Sequence, residues 1–231
     1  MGIAIVTGAS SGIGLSVSKK LIEIGHKVYG IARDFSKTNF INPNFIPLVC
    51  DVTNTNKLIT TVRDILEHED IYILVNNAGV GYFGPHETIK PEYIEGMVKT
   101  NLLAPLVLTH LVLRSLKKTQ GYVINIASIT ALHSSRFGCA YAATKAGLHQ
   151  FGDSLFDEVR KSGVKVVTIY PDITQTPFYE NLSFRPEDDP LCYITPECIA
   201  ETVENILSQR KGTVITQVVI RPQKLQLKKG S

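Results

Sequence analysis

Tyr141-Ala-Ala-Thr-Lys145 follows Ser128 by thirteen residues. Residues four apart on a helix share one face, so the phenol and the ammonium would point into the same space. A free tyrosine ionises near pKa ~10 and is a poor acid or base at neutral pH. A fixed cation beside it favours the phenolate and lowers that value. Ser128 closes the apolar run Ile-Asn-Ile-Ala-Ser. If that run is a strand ending at the same cleft, its hydroxyl can hold a substrate oxygen while Tyr141 exchanges a proton with it. This chemistry suits interconversion of an alcohol and a ketone. The spacing alone is weak, because a surface tyrosine beside a solvated lysine reads identically.

The elements that must position these groups are legible as an alternation. β-rich apolar runs at 2–7, 27–32, 46–50, 71–75, 121–127, 164–170 and 213–220 alternate with helical patterns near 12–25, 56–68, 90–117, 138–162 and 195–209. Such alternation predicts an α/β fold, a doubly wound parallel sheet of the Rossmann type, with a crevice at the carboxyl ends of its strands. Residues 34–45 are rich in turn formers, so the helix of that crossover is expected to be abbreviated or absent. Residues 172–194 lack periodicity yet carry Phe178, Tyr179, Leu182, Phe184, Leu191 and Tyr193, the pattern of a substrate loop. The whole chain, 1–231, reads as a single domain, with 227–231 as a flexible tail.

A second constellation lies at the other end of the crevice. Thr7-Gly8-Ala-Ser-Ser-Gly12-Ile-Gly14 runs from the first strand into the first helix. Gly8 permits a tight turn, Gly12 lets the backbone approach a pyrophosphate, and Gly14 lets helix and strand pack closely. The helix N-terminus supplies free N–H groups for the phosphates. Ser10, Ser11 and Ile13 belong to the same expected cofactor surface. The second strand ends at Ala32-Arg33-Asp34. Arg33 can pair with a 2′-phosphate, which favours NADP(H). NAD(H) remains open if Arg33 is solvated and Asp34 swings in as ribose acceptor. Asp51-Val52 and Asn76-Asn77-Ala78-Gly79 follow the third and fourth strands, where the adenine half of a dinucleotide would lie.

Composition narrows the classes. Twenty-four basic residues against 21 acidic ones give no reason to propose nucleic acid, and Lys228-Lys229 is the only local basic cluster. The four cysteines have no metal-ligand spacing and read as reduced thiols. Neither they nor the histidines suggest a metal site. No secretory leader is apparent, and the opening Met-Gly fails the myristoylation pattern at Val6. No run approaches the ~18 apolar residues of a membrane span. The expected location is cytoplasmic.

Taken together, Thr7-Gly8-x-x-x-Gly12-x-Gly14, Asp51-Val52, Asn76-Asn77-Ala78-Gly79, Asn101, Ser128, Tyr141-x-x-x-Lys145 and the segment from Pro171 to Thr176 make the chain resemble the short-chain dehydrogenase/reductase superfamily, in its single-domain branch. The resemblance implies a nicotinamide dinucleotide and hydride transfer to or from a carbonyl carbon. It makes Tyr141 the general acid/base and has Lys145 bind the nicotinamide ribose and lower the Tyr141 pKa. Ser128 then orients the substrate oxygen, and Asn101 holds a water that relays protons from Lys145. Pro171, the backbone near Thr174 and the Thr176 side chain contact the carboxamide. Asp172 stands where the family often has glycine and reads as a turn residue.

The strand ends and the loop supply a candidate substrate pocket at Ser128, Thr130, His133, Phe137, Phe178 and Tyr179, with Val80, Tyr82 and Phe83 nearby. His133 or Arg136 could bind a carboxylate, which would suit a 3-hydroxy acid or β-hydroxy amino acid. A small carbonyl or secondary alcohol is otherwise the expected partner. Two readings of other kinds compete: a dinucleotide-binding regulator without turnover, which usually lacks the Ser, Tyr or Lys, and a sugar-nucleotide epimerase, which needs a larger C-terminal region. Small residues on the Tyr141 helix (Ala140, Ala142, Ala143, Ala146, Gly147) suggest a homodimer or homotetramer.

Overall fold

The fold was obtained as a computed structural model, which describes residues 2–180 and 182–229. The chain runs β1 (Ile3–Thr7), α1 (Gly12–Glu23), β2 (Lys27–Ala32), β3 (Phe45–Val49), α2 (Thr55–Leu66), β4 (Ile71–Asn76), α3 (Pro91–Val98), α4 (Ala104–Thr119), β5 (Tyr122–Ile126), α5 (Cys139–Val159), β6 (Lys165–Pro171), β7 (Phe184–Pro186), α6 (Pro196–Leu207), β8 (Gln217–Ile220) and β9 (Leu227–Lys229). The main sheet has the order β3-β2-β1-β4-β5-β6-β8, and every pairing in it is parallel. The order reverses between β1 and β4. The crevice expected at a doubly wound sheet therefore opens where Thr7 and Asn76 end their strands.

Alternation along each strand splits the core into two layers. From β1, Ala4 and Val6 join Val17 and Leu21 of α1 and Ile199 and Val203 of α6. Ile5 faces the other way, toward Leu58 and Val62 of α2 and Leu108 and Val112 of α4. All eleven are essentially inaccessible, and burying each large aliphatic side chain contributes about 1.5–3 kcal/mol. The ends are set locally: the Asn54 carboxamide caps α2 by accepting from Lys57 N–H, while α3 and α6 each start on a proline.

Four expectations are corrected. The run 90–117 is not one regular helix: a π turn at Lys99–Leu103 joins α3 to α4. By length and composition the combined Pro91–Thr119 helix also reaches what a membrane span requires, contrary to the expectation that no segment would. Here Ala104, Leu108, Val112 and Leu116 lie in the core, so the apolar stripe serves the sheet. The predicted strand at 213–220 shrinks to Gln217–Ile220.

The fourth correction concerns the C-terminus. Residues 227–229 are not a tail but β9, antiparallel to β7 in the segment 172–194. Lys224 binds Asp189 at 2.9 Å, Lys228 pairs with Asp188, and Arg221 meets Asp172 at 3.0 Å. The chain thus returns as a strap across 172–194. Residues 230 and 231 lie outside the described residues. No helix forms between β2 and β3; Phe35 and Phe40 from that crossover pack instead on Phe45.

Candidate active site

β5, α5 and the π turn bring the first constellation together. Ser128 follows β5 and starts the 3-10 turn Ile129–Ala131, where its Oγ accepts from Thr130 N–H at 3.2 Å and from the Thr130 hydroxyl at 3.1 Å. Tyr141 and Lys145 sit on the first turns of α5, buried at 8% and 3% exposure. The Lys145 ammonium donates to the Ile126 carbonyl at 2.8 Å and lies 5.9 Å from the Tyr141 ring centroid. A Cβ at Gly79 would stand 3.5 Å from Lys145 Nζ and 3.6 Å from Asn101 Oδ1, so both groups border the same small space.

Electrostatics set the protonation states. Burial pushes the Tyr141 phenol well above the ordinary tyrosine value, with the neighbouring Ser128 hydroxyl opposing and Tyr179 adding to the rise. Burial also pulls Lys145 down to about 8. The expected depression of Tyr141 by Lys145 is therefore not what the protein alone shows: desolvation outweighs the cation. A phenol in this state is a proton donor at neutral pH.

Asn101 is held by its carboxamide. Its Oδ1 accepts from Val80 N–H at 2.9 Å, and its Nδ2 donates to the Val80 carbonyl at 2.8 Å and to Thr144 Oγ1 at 3.1 Å. Thr144 in turn donates to the Tyr141 carbonyl at 2.7 Å. Sequence reasoning passed over Thr144; its signal is a buried hydroxyl one residue before Lys145 on the same helix.

The glycine turn forms the second constellation. Gly8 and Gly12 adopt left-handed backbone, at φ +65° and +51°. A Cβ on Gly14 would fall 2.2 Å from the Gly8 carbonyl oxygen, so only glycine lets α1 meet β1 here. Ser11 stands at the N-cap in extended conformation without a side-chain cap bond, and no acidic residue occupies the first turn, which leaves that end open to a phosphate. Thr176 lies over the same turn: a Cβ on Gly12 would be 3.1 Å from its Cγ2. A loop, an open helix end and a polar side chain above it thus fit a dinucleotide pyrophosphate.

Thr7, read only as the opening of the glycine motif, proves to be the hub joining β1 to β4. Its Oγ1 accepts from both Asn77 N–H and Ala78 N–H at 3.0 Å, while Asn77 Nδ2 donates to the Thr7 carbonyl at 2.8 Å. Asn77 therefore clamps the glycine turn with its side chain. Thr174 is buried and donates to the Asp172 carbonyl, and Pro171 closes β6.

Other residues fall less directly into place. Asp51 accepts from the Thr53 backbone and hydroxyl, a local turn; Val52 is buried in the core; Ile13 packs against the α1 layer. Arg33 is exposed past the end of β2, and Asp34 is engaged by Ser36 N–H at 2.8 Å and by its hydroxyl at 2.6 Å. The Ser10 carbonyl accepts from Thr38, which ties the crossover to the glycine turn. Phe178 and Tyr179 reach the Tyr141 neighbourhood. His133 and Phe137 do not: both are exposed, and Phe137, at φ +65°, lies beneath the Arg136 guanidinium. Among the described residues no three His, Cys, Asp or Glu side chains cluster as metal ligands.

Comparison with known proteins agrees with this geometry. The short chain dehydrogenase family profile matches residues 2–186. An uncharacterized oxidoreductase of Staphylococcus haemolyticus is 33% identical over 229 residues, spanning 95% of this chain and 96% of its own. A metagenomic short-chain oxidoreductase solved with NADP is 28% identical, with TM-score 0.78 over 96% of this chain and 97% of its own. The closed form of a serine dehydrogenase complexed with NADP+ is 26% identical, with TM-score 0.83 over 95% and 94%. With a seven-stranded doubly wound sheet, a glycine turn at its switch point and Ser128, Tyr141 and Lys145 meeting beside it, the chain belongs to the short-chain dehydrogenase/reductase superfamily of NAD(P)-dependent oxidoreductases.

Proposed function

We propose that the protein transfers a hydride between NADP(H) and a small carbonyl or secondary alcohol, with Tyr141 as general acid/base. The observation that carries this reading is the convergence of a buried, protonated phenol, the Ser128 hydroxyl and the Lys145 ammonium at one strand end. The bound nicotinamide would supply or accept the hydride. Gly8, Gly12, Gly14 and Ser11 would receive the pyrophosphate, and Thr174 and Thr176 the carboxamide end. Ser128 would orient the substrate oxygen and polarise it, and Tyr141 would donate its proton to that oxygen as charge develops there. Lys145 would hold the ribose and reprotonate the phenol. Because the Asn101 carboxamide is spent on Val80 and Thr144, the relay would use a water on the main chain of the π turn, where Ala104 N–H reaches back to Lys99.

NADP(H) is favoured over NAD(H) by two observations. Asp34 is occupied by Ser36, and among the described residues Arg33 forms no ion pair. The NADP named for two of the related structures supports the same choice. The serine dehydrogenase resemblance would favour a β-hydroxy amino acid, but the exposed His133 and Arg136 leave that reading second. Association built partly on α5, the Tyr141 helix, into a homodimer or homotetramer is part of the proposal; light scattering at micromolar concentration tests it.

Initial rates of NADPH oxidation across a ketone panel test the whole. Tyr141→Phe should reduce kcat by about 10²–10⁴ while cofactor affinity stays nearly unchanged. Retention of most turnover would remove Tyr141 from its role. Arg33→Ala should raise KM for NADPH far more than for NADH; equal effects on both would refute the choice of cofactor.

A further inference from the structure

Five aromatic rings form a closed circuit that includes the catalytic phenol. Tyr141 lies 5.2 Å from Phe83, Phe83 5.1 Å from Phe184, Phe184 5.8 Å from Tyr179, Tyr179 5.4 Å from Phe178, and Phe178 5.9 Å from Tyr141, all between ring centroids. Phe83 and Phe178 also meet edge to face across the circuit. Gly81 allows this closeness: a Cβ there would sit 2.6 Å from Phe178 Cζ and 2.7 Å from Phe83 Cε2. Phe83 comes from the segment after β4, whereas Phe178, Tyr179 and Phe184 come from the substrate loop. The loop therefore places its own ring against the phenol.

Cationic side chains near this circuit are committed elsewhere or turned from it: Arg185, next to Phe184 on β7, is exposed on the opposite face of that strand. Lys145 is the only cation in cation–π reach of any of the five rings among the described residues, and its ammonium is bound to the Ile126 carbonyl. Arg221 is held by Asp172, Arg136 covers Phe137 on the surface, and His133 is exposed. A carboxylate brought beside Tyr141 would meet π faces and no free positive charge, which is costly in a dry site.

Resting on the oxidoreductase reading above, we propose that the substrate is an uncharged carbonyl compound with a planar aryl or conjugated group, and that this group takes the place Phe178 holds against Phe83 and Tyr141. The reasoning is one of replacement. The site already stabilises a ring at that position through edge and tilted contacts, and a substrate ring inherits them when the loop ring swings out. A saturated ring of equal size fills the volume without the π contacts.

Three probes with the same chain length separate the possibilities: benzylacetone, its cyclohexyl counterpart, and benzylpyruvate, in which a carboxylate replaces the methyl. With NADPH, kcat/KM for benzylacetone should exceed that of the cyclohexyl ketone by about three- to ten-fold and that of benzylpyruvate by at least about ten-fold. Phe83→Leu should erase the phenyl preference. Phe178→Ala should lower KM for both uncharged ketones while keeping that preference, and Phe178→Leu, which retains volume, should act likewise. Equal rates for phenyl and cyclohexyl, or a preference for benzylpyruvate, would overturn the substrate class while leaving the oxidoreductase standing. Preference unchanged in Phe83→Leu would overturn the replacement. No turnover of any probe, despite NADPH binding, would overturn the parent reading and this one with it.

Discussion

Lys145 offers a test in which function and stability separate. The residue is 3% exposed and its pKa falls from the ordinary 10.5 to about 8 because burial penalises the charge. Between these values the unfolded chain binds the proton more tightly than the folded one, so stability rises with pH across that window. Below about pH 8 the full penalty applies, and above 10.5 it vanishes. About 2.5 pH units at ~1.36 kcal/mol each make the penalty about 3 kcal/mol. Lys145→Met keeps the length of the side chain and removes the titration. It also strands the Ile126 carbonyl, which costs a constant amount at every pH. Urea unfolding of both proteins at intervals from pH 7 to pH 11 isolates the titration, since constant terms cancel from the pH dependence of their difference. The stability of wild type relative to Lys145→Met should climb by about 3 kcal/mol between pH 8 and 10.5. A difference constant to within about 0.5 kcal/mol would refute the depressed ammonium. In kinetics, wild-type kcat/KM for the carbonyl should fall above pH about 8 as the ammonium is lost.

Three further outcomes follow from contacts described above. Thr7→Val leaves the Asn77 and Ala78 N–H groups without their acceptor and should cost about 1–3 kcal/mol per stranded group, read by urea unfolding, with weaker NADPH binding by calorimetry. Gly14→Ala drives a Cβ to 2.2 Å from the Gly8 oxygen, so NADPH binding should be lost or the fold destabilised by several kcal/mol; a variant matching wild type in both would show the turn to be pliable. Deleting 223–231 removes the strap, including the Lys224–Asp189 pair, and should raise KM for the carbonyl by about three-fold or more. Lys224→Ala, which breaks one half-exposed ion pair, should leave the urea midpoint nearly unchanged.

Legibility followed the range of the forces involved. The alternation of elements, the missing helix at 34–45 and the glycine turn are local: periodicity, turn formers and backbone permissiveness are written residue by residue. So was the placing of Tyr141 over Lys145. The π turn was not, because Asn101 is drawn in by Val80, 21 residues earlier, and by Thr144, 43 residues later. β9 was misread as a tail because three residues carry little pattern, and its partner β7 is equally short. The rise of the Tyr141 pKa needed the aromatic circuit, which joins Phe83 to a loop about a hundred residues away. The role of Thr7 went unseen since a threonine beside a glycine reads as part of a turn, whereas its hydroxyl is a splice between strands.

The π turn at Lys99–Leu103 has a consequence for how this helix can change over generations. It amounts to one residue more than a regular helix holds, so deleting any one of the five would smooth the ladder and strengthen the helix locally. Because the wide turn already absorbs the extra residue, the faces of α3 and α4 on either side would keep their directions. What the deletion would remove is the bulge that contains Asn101, and with it the reach to Val80 and Thr144. The irregularity is thereby locked in: the local improvement is reachable in a single step, and that step breaks the site while sparing the core.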